Sequence, residues 1–273
     1  MSCSPATFAY LAQMVRDHSA IVLDESKAYL IESRLGPLLH SEGVSDIDEL
    51  AYKLRDHRFS PLRRKVLDAM TNNETWFFRD LYPFEALKSA ILPHLVRARE
   101  SERTLNIWSA ACSSGQEIYS IAMLIREHFP SLLNWKLSLL GTDISETILE
   151  RARAGTYSQL EVNRGLPAPM LAKYFHPLGK DWELKKLVRH MAVFRWVNLA
   201  STWLPLGRMD IVFLRNVLIY FPLAVRRQIL ARMREMIRPD GCLFLGAAET
   251  TLNLDDSYNR ISFQKAFYYQ PKL

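Results

Sequence analysis

From Arg103 onward, short apolar runs alternate with segments of helical periodicity, and no other feature of the chain restricts its fold so strongly. The runs are Thr104 to Ser109, Lys136 to Thr142, Val193 to Val197, Asp210 to Phe213 and Cys242 to Gly246. Between them lie Gln116 to His128, Ser145 to Ala154 and Pro222 to Ile237, each spaced for a helix. This alternation predicts a parallel, doubly wound α/β sheet. Tyr157 to Val197 breaks the rhythm: it holds Pro167, Pro169 and Pro177, then an alternation through Trp182, Leu184, Leu187 and Val193. That stretch reads as a helix followed by a small antiparallel hairpin inserted at about residues 170–196. Asp240-Gly241 reads as a turn, and Ser262 to Tyr269 as one terminal strand.

The preceding residues have a different texture. Residues 1–70 read as an all-helical domain, with Ser4 capping a helix that opens on Pro5 and carries Phe8, Leu11 and Val15 on one face. A second helix is expected over Ser26 to His40, with Tyr29, Leu30, Leu35, Leu38 and Leu39 as its apolar positions. A third should open on a capping box at Ser45 to Asp48, and a fourth on Ser60-Pro61. Residues 71–80 form a junction and residues 81–273 the sheet domain. The junction, Thr71-Asn-Asn-Glu-Thr-Trp-Phe-Phe-Arg-Asp80, packs three aromatics and an arginine into what would otherwise be a linker.

Bulk properties remove several classes of function. No apolar run approaches the roughly 20 residues that span a bilayer, and the first residues lack the zones of a signal peptide. Cys3, Cys112 and Cys242 form no CxxC pair and no ligand cluster, so neither a structural metal nor a disulfide framework is expected. A reducing cytoplasm is the simplest location. The net charge of +6 reads as the solvated faces of amphipathic elements, with an acidic partner as the alternative. No aromatic stacking platform accompanies the basic groups, and no nucleic-acid partner is expected.

The first strand runs into a loop of small residues, Ser109 to Gly115, and then a helix carrying Glu117 in its first turn. In open α/β sheets ligands bind beyond the carboxyl ends of the strands. Small side chains let the backbone approach a ligand there, and Gly115 permits a tight turn. Asp143, at the end of the second strand, is placed to accept hydrogen bonds from ribose hydroxyls. A carboxylate at a helix N-terminus repels pyrophosphate but attracts an ammonium or sulfonium, and S-adenosylmethionine carries both. The alternative is that Glu117 complements the helix dipole on the surface.

Four stretches in order narrow this further: Asn73-Glu-Thr-Trp-Phe-Phe-Arg79, Trp108-Ser-Ala-Ala-Cys-Ser-Ser-Gly-Gln-Glu-Ile-Tyr-Ser120, Gly141-Thr-Asp-Ile144 and Phe213-Leu-Arg-Asn-Val-Leu-Ile-Tyr-Phe221. Together they resemble the chemotaxis receptor methyltransferases, the CheR family. The resemblance implies a Rossmann-like methyltransferase sheet with a small antiparallel β-subdomain insertion and an N-terminal all-α domain. It implies a protein-glutamate O-methyltransferase that uses S-adenosylmethionine, releases S-adenosylhomocysteine, and needs no metal. By position, Asn73, Thr75 and Arg79 would serve the cofactor's methionine end and the reaction centre. Glu117 would meet its amino group, Asp143 its ribose, and Asn198 and Leu199 its adenine. Arg215, Asn216 and Tyr220 would close the site, with Arg79 and Tyr220 as the catalytic pair.

Two regions depart from the family pattern. Many members carry a row of arginines on the second helix for the acidic receptor, whereas Gly36, Pro37 and Leu38 interrupt that row between Arg34 and His40. Lys53, Arg55, Arg58, Arg63 and Arg64 are the alternative contacts. The loop Phe175 to Trp182 is shorter than in members that bind a receptor's C-terminal tether peptide, so strong tether binding is not expected. A monomer acting on the cytoplasmic domain of a chemoreceptor is the expected arrangement. The rival readings are a silent S-adenosylmethionine sensor, against which the intact residue set argues, and a nucleic-acid methyltransferase, for which no base-binding motif is present.

Overall fold

The computed structural model describes residues 3–24, 26, 28–56, 61–203 and 206–272. Four helices come first: α1 (Pro5–Ser19), α2 (Ala28–Glu42), α3 (Ile47–Asp56) and α4 (Pro61–Met70). They enclose a core of their own around Leu11, Ile31, Leu35, Leu50 and Val66. Ser4 caps α1 as expected, accepting the Thr7 N–H at 3.3 Å. The cap of α3 falls one residue later than the sequence suggests: Asp46, not Ser45, accepts the Glu49 N–H at 2.8 Å. Glu49 turns back to the Ser45 N–H and hydroxyl, and Asp48 is freed to accept from the Ser4 hydroxyl at 2.7 Å. Ser60, expected to open α4, lies outside the described residues. Tyr29 is 64% exposed, because α2 turns Ile31 rather than Tyr29 to the core.

A bent helical stretch follows, α5 (Tyr82–Ala86) and α6 (Leu92–Ala98), joined by a π turn over Leu87–Ile91. The sheet domain then runs β1 (Thr104–Ala110), α7 (Gln116–His128), β2 (Lys136–Asp143), α8 (Glu146–Ala154), β3 (Thr156–Ser158), α9 (Gln159–Asn163), α10 (Ala168–Tyr174), β4 (Phe175–Leu178), β5 (Asp181–Leu184), α11 (Lys186–Arg189), β6 (Ala192–Trp196), β7 (Met209–Leu214), α12 (Leu223–Met236), β8 (Ile237–Leu245), β9 (Tyr258–Phe263) and β10 (Ala266–Pro271). The large sheet has the order β6-β2-β1-β7-β8-β10-β9. Its first five strands are parallel, and β10 and β9 close it antiparallel. Successive strands run outward from β1 to one side, and the chain then returns to β7 on the other. The order therefore reverses at β1, and the carboxyl ends of β1 and β7 diverge into a crevice. One face of the sheet packs under α7 and the other under α12.

Three expectations differ in detail. Residues 192–196 belong to the large sheet as β6, not to the inserted unit, which is a three-stranded sheet of order β3-β5-β4 that recruits Thr156–Ser158. Asp240-Gly241 is no turn but part of an unbroken β8 with an irregular register opposite Met209 and Ile211. A Cβ on Gly241 would lie 2.6 Å from the Asp210 carbonyl, and Asp240 bridges to buried Arg99 at 2.5 Å. The expected single terminal strand is a hairpin, because Gln264 takes the left-handed conformation (φ 52°) and reverses the chain. Among the described residues no helix is long and apolar enough to cross a membrane, and no cluster of His, Cys, Asp and Glu could hold a metal ion.

Candidate active site

A cleft of about 860 Å³, open mouth included, lies at the carboxyl edge where the strand order reverses. Its floor is the loop after β1. Cys112 N–H donates to the Thr142 carbonyl at 2.8 Å and Ser113 N–H to Asp143 Oδ2 at 2.9 Å, so the loop is tied to the end of β2. The Ser113 hydroxyl donates to the Asn73 carbonyl at 2.7 Å and anchors the junction to the same loop. Burial pushes the Asp143 carboxyl up, against the backbone N–H groups of Ser145, Ser113 and Ile144, which pull it down. Cys112 is buried and desolvation raises its thiol, which makes it a poor nucleophile.

Glu117 is not a surface complement to the helix dipole. It is buried, accepts the Ser109 hydroxyl at 2.7 Å and pairs with Arg215 at 2.7 Å. Arg215 reaches on to Asp80 at 2.6 Å and to the Arg79 carbonyl at 2.8 Å. Two carboxylates thus share one guanidinium, and the triad retains a formal charge of −1. Neither Arg215 Nε nor Arg79 Nε has a partner, although both are buried. Arg79 stacks on Trp76 with its guanidinium carbon 4.2 Å from the ring centroid, and Arg164 stacks on the same ring at 3.9 Å. Delocalised guanidinium planes suit such stacking, which holds Arg79 without consuming all of its donors.

The opposite wall is the turn after β7. Asn216 is left-handed (φ 57°), and Tyr220 ends a short 3-10 helix, Leu218–Tyr220. The Tyr220 hydroxyl accepts from the Asn72 side-chain amide. Phe78, Asp80, Ala111 and Ser113 also take positive φ around the cleft and the triad. Such conformations cost on the order of 1–3 kcal/mol each and gather where a site demands a fixed backbone.

Of the residues expected from the sequence, Asn73, Thr75, Arg79, Glu117 and Asp143 line the cleft, as do Asn198, Leu199, Arg215, Asn216 and Tyr220. Gly115 does not. Its φ of 91° starts α7, but a Cβ there would meet Tyr119, Ala152 and Phe194, so it packs behind the loop instead of facing a ligand. Asn198 has its amide engaged within the protein, donating to the His18 carbonyl at 2.6 Å and accepting the Ala200 N–H at 3.0 Å. It fastens the helical domain to the sheet, and Ser19 and Ile21 from that domain consequently reach the cleft. Asn72, Asp80, Ser113, Ser19 and Ile21 carried no individual signal in the sequence. The crowding of polar and aromatic residues in 71–80 pointed toward the first two, the small-residue loop from Ser109 to Gly115 toward Ser113, and nothing toward Ser19 and Ile21.

This set of groups fits S-adenosylmethionine. Asp143 can accept from a ribose diol, and the net-negative triad suits an ammonium. The unpartnered Nε of Arg215 can donate to the cofactor's carboxylate, and Ile144, Val197 and Leu199 provide apolar cover for an adenine. Comparison with protein families decides between cofactor users. Residues 73–267 match the model described as "CheR methyltransferase, SAM binding domain", and residues 6–71 match "CheR methyltransferase, all-alpha domain". The chain belongs to the CheR methyltransferase family.

Relatives of this CheR-family enzyme match it end to end. It is 41% identical to chemotaxis protein methyltransferase 1 of Pseudomonas aeruginosa and 40% identical to chemotaxis protein methyltransferase Cher2 of Pseudomonas putida, over 100% of both chains in each case. A chemotaxis protein methyltransferase of Vibrio parahaemolyticus is 37% identical over 100% of this chain and 99% of its own. The protein is a methyltransferase dependent on S-adenosylmethionine.

The basic residues expected at a docking face are partly engaged in this CheR-family fold. Arg34 donates to the Met70 carbonyl at 2.6 Å, Lys53 pairs with Glu49 at 2.8 Å, and Arg55 stacks over Tyr10. Arg58 lies outside the described residues.

Proposed function

We propose that this CheR-family enzyme methylates glutamate side chains on the cytoplasmic helices of chemoreceptors, giving glutamyl methyl esters and S-adenosylhomocysteine. The observation that carries the reading is the position of Arg79. Its guanidinium lines the cofactor cleft, is held by stacking on Trp76, and keeps a buried Nε without a partner. A cation so held is suited to orient an incoming carboxylate. The names of the full-length relatives, chemotaxis protein methyltransferases, support the receptor as the acceptor.

When bound, S-adenosylmethionine supplies an activated methyl group on its sulfonium. Asp143 would hold its ribose, and Glu117, within the triad, its amino group. A glutamate carboxylate has a pKa of about 4.3, is ionised at neutral pH and is already nucleophilic. The protein therefore needs no general base. Its work is alignment, which can account for several kcal/mol of barrier. Arg79 orients the acceptor carboxylate, and Tyr220, fixed by Asn72, positions both reactants. Asn73 and Thr75 border the methionine end, and Asn216 closes the wall beside Tyr220. We read the enzyme as a monomer working at the cytoplasmic face of its receptors, without nucleic acid.

The test is transfer of labelled methyl to a purified chemoreceptor cytoplasmic fragment. Glutamyl esters release the label in mild base, so base-labile incorporation supports the reading. Cofactor binding with no transfer to any such fragment contradicts it. Receptor tethering is a separate matter. The β4–β5 connection is a tight turn through Gly179 (φ 61°), so no extended loop stands beside the β4 edge to hold an added strand. Calorimetry with a receptor C-terminal pentapeptide should therefore show no binding tighter than about millimolar, roughly −4 kcal/mol. Micromolar affinity would refute that expectation.

A further inference from the structure

Beside the turn that carries Asn216 and Tyr220 stands a carboxylate with no part in the chemistry described so far. Glu249 follows β8, and its own N–H donates to the Gly246 carbonyl at 2.9 Å. Its side chain collects three backbone N–H groups. Oε2 accepts from Gly246 and from Asn216, each at 2.7 Å, and Oε1 accepts from Ile219 at 3.3 Å. The Asn216 N–H points there because Asn216 is left-handed. Gly246 has no room for a side chain: a Cβ would lie 2.7 Å from Asn216 Nδ2 and from Glu249 Oε2. Among the described residues no ion pair to Glu249 is formed, so these dipoles are what holds the charge in place.

One side chain thus ties the end of β8 to both ends of the turn after β7. Charge-assisted bonds to backbone N–H are roughly twice as strong as neutral ones, and a carboxylate can serve several donors at once. We infer that Glu249 is a positioning residue for methyl transfer, setting through the backbone where Asn216 and Tyr220 stand in the cleft. This rests on the roles proposed above for those two residues. Glu249 itself is absent from the cleft lining and borders instead a neighbouring cavity beside Asp80 and Arg260.

The geometry distinguishes substitutions. Glu249→Gln keeps one oxygen, which can still serve Asn216 and Gly246, but turns its amide nitrogen toward the Ile219 N–H, donor against donor. Glu249→Ala releases all three N–H groups. A displacement of about 1 Å in a catalytic arrangement can cost on the order of 100-fold in rate. Turnover on a chemoreceptor fragment should fall roughly tenfold in Glu249→Gln and roughly 100-fold in Glu249→Ala. S-Adenosylhomocysteine affinity should stay within about twofold, because Glu117, Asp143 and Arg215 are held elsewhere. Amide hydrogen exchange should accelerate at Ile219 in Glu249→Gln, and at Asn216 and Ile219 in Glu249→Ala. Combined with Tyr220→Phe, the loss from Glu249→Ala should be less than additive, since part of the Glu249 effect runs through Tyr220.

All assays are run well below the melting temperature of the weakest variant, which separates positioning from unfolding. Unchanged exchange at Asn216 and Ile219 in Glu249→Ala overturns the proposal at the clamp. Accelerated exchange with wild-type turnover overturns it at the step from backbone to rate. Loss of cofactor affinity in parallel with turnover, or full additivity with Tyr220→Phe, overturns it as well. Normal turnover in both Tyr220→Phe and Asn216→Ala overturns it through the underlying functional reading, and those single variants show which of the two has failed.

Discussion

Arg215→Met should cost the fold about 3–5 kcal/mol and abolish cofactor binding, because breaking a buried ion pair from one side strands the other. The Arg215 side chain is 1% exposed and stands between Glu117, 11% exposed, and Asp80, 35% exposed. Without the guanidinium, a buried carboxylate at Glu117 keeps only the Ser109 hydroxyl. Asp80 is open enough to water that most of the cost falls on Glu117. Adding Glu117→Gln to Arg215→Met should recover a large part of the stability, since the stranded charge is gone. It should not recover cofactor binding, because the acid that meets the amino group is gone too. Urea unfolding and calorimetry with S-adenosylhomocysteine measure both. A stability change within about 0.5 kcal/mol, the range of an ordinary surface substitution, would show that the triad does not hold the site.

Arg79→Ala should lower turnover by about 100-fold or more, the scale expected when an acceptor loses its alignment. Cofactor affinity should weaken by at most about tenfold, or 1.4 kcal/mol. Arg79→Lys should not rescue the rate. A lysine ammonium is a point charge on a flexible stem and reproduces neither the planar stack on Trp76 nor the directed Nε donor. Single-turnover kinetics with pre-bound cofactor isolates the chemical step. Normal single-turnover rates in Arg79→Ala with unchanged cofactor affinity would remove Arg79 from the reaction centre.

The parallel sheet was legible because its central strands are buried on both faces and therefore read as apolar runs. Asp143 was legible because a polar residue ending such a run lies at the ligand-binding edge. What sequence spacing could not convey was pairing over distance. Glu117 and Arg215 are 98 residues apart, and nothing local in either says that each is the other's counter-ion. The same holds for Glu249, whose partners are backbone N–H groups and leave no side-chain signature in the sequence. Gln264 makes a two-residue reversal without the Gly or Asn that usually marks one, so the terminal hairpin looked like a single strand. Gly115 was legible as a turn former, and it does take a φ of 91° where α7 starts. The crowding that excludes a side chain there comes from Tyr119, Ala152 and Phe194, which no local spacing announces.

The most direct test of the central claim is to incubate the enzyme with S-adenosylmethionine and a chemoreceptor cytoplasmic fragment, then map the modified residues by tandem mass spectrometry. The account predicts methyl groups on glutamate carboxyls of the receptor helices, lost in Arg79→Ala and removed by mild base. Methyl groups on any other side chain, or an unmodified receptor alongside demonstrated cofactor binding, would contradict it.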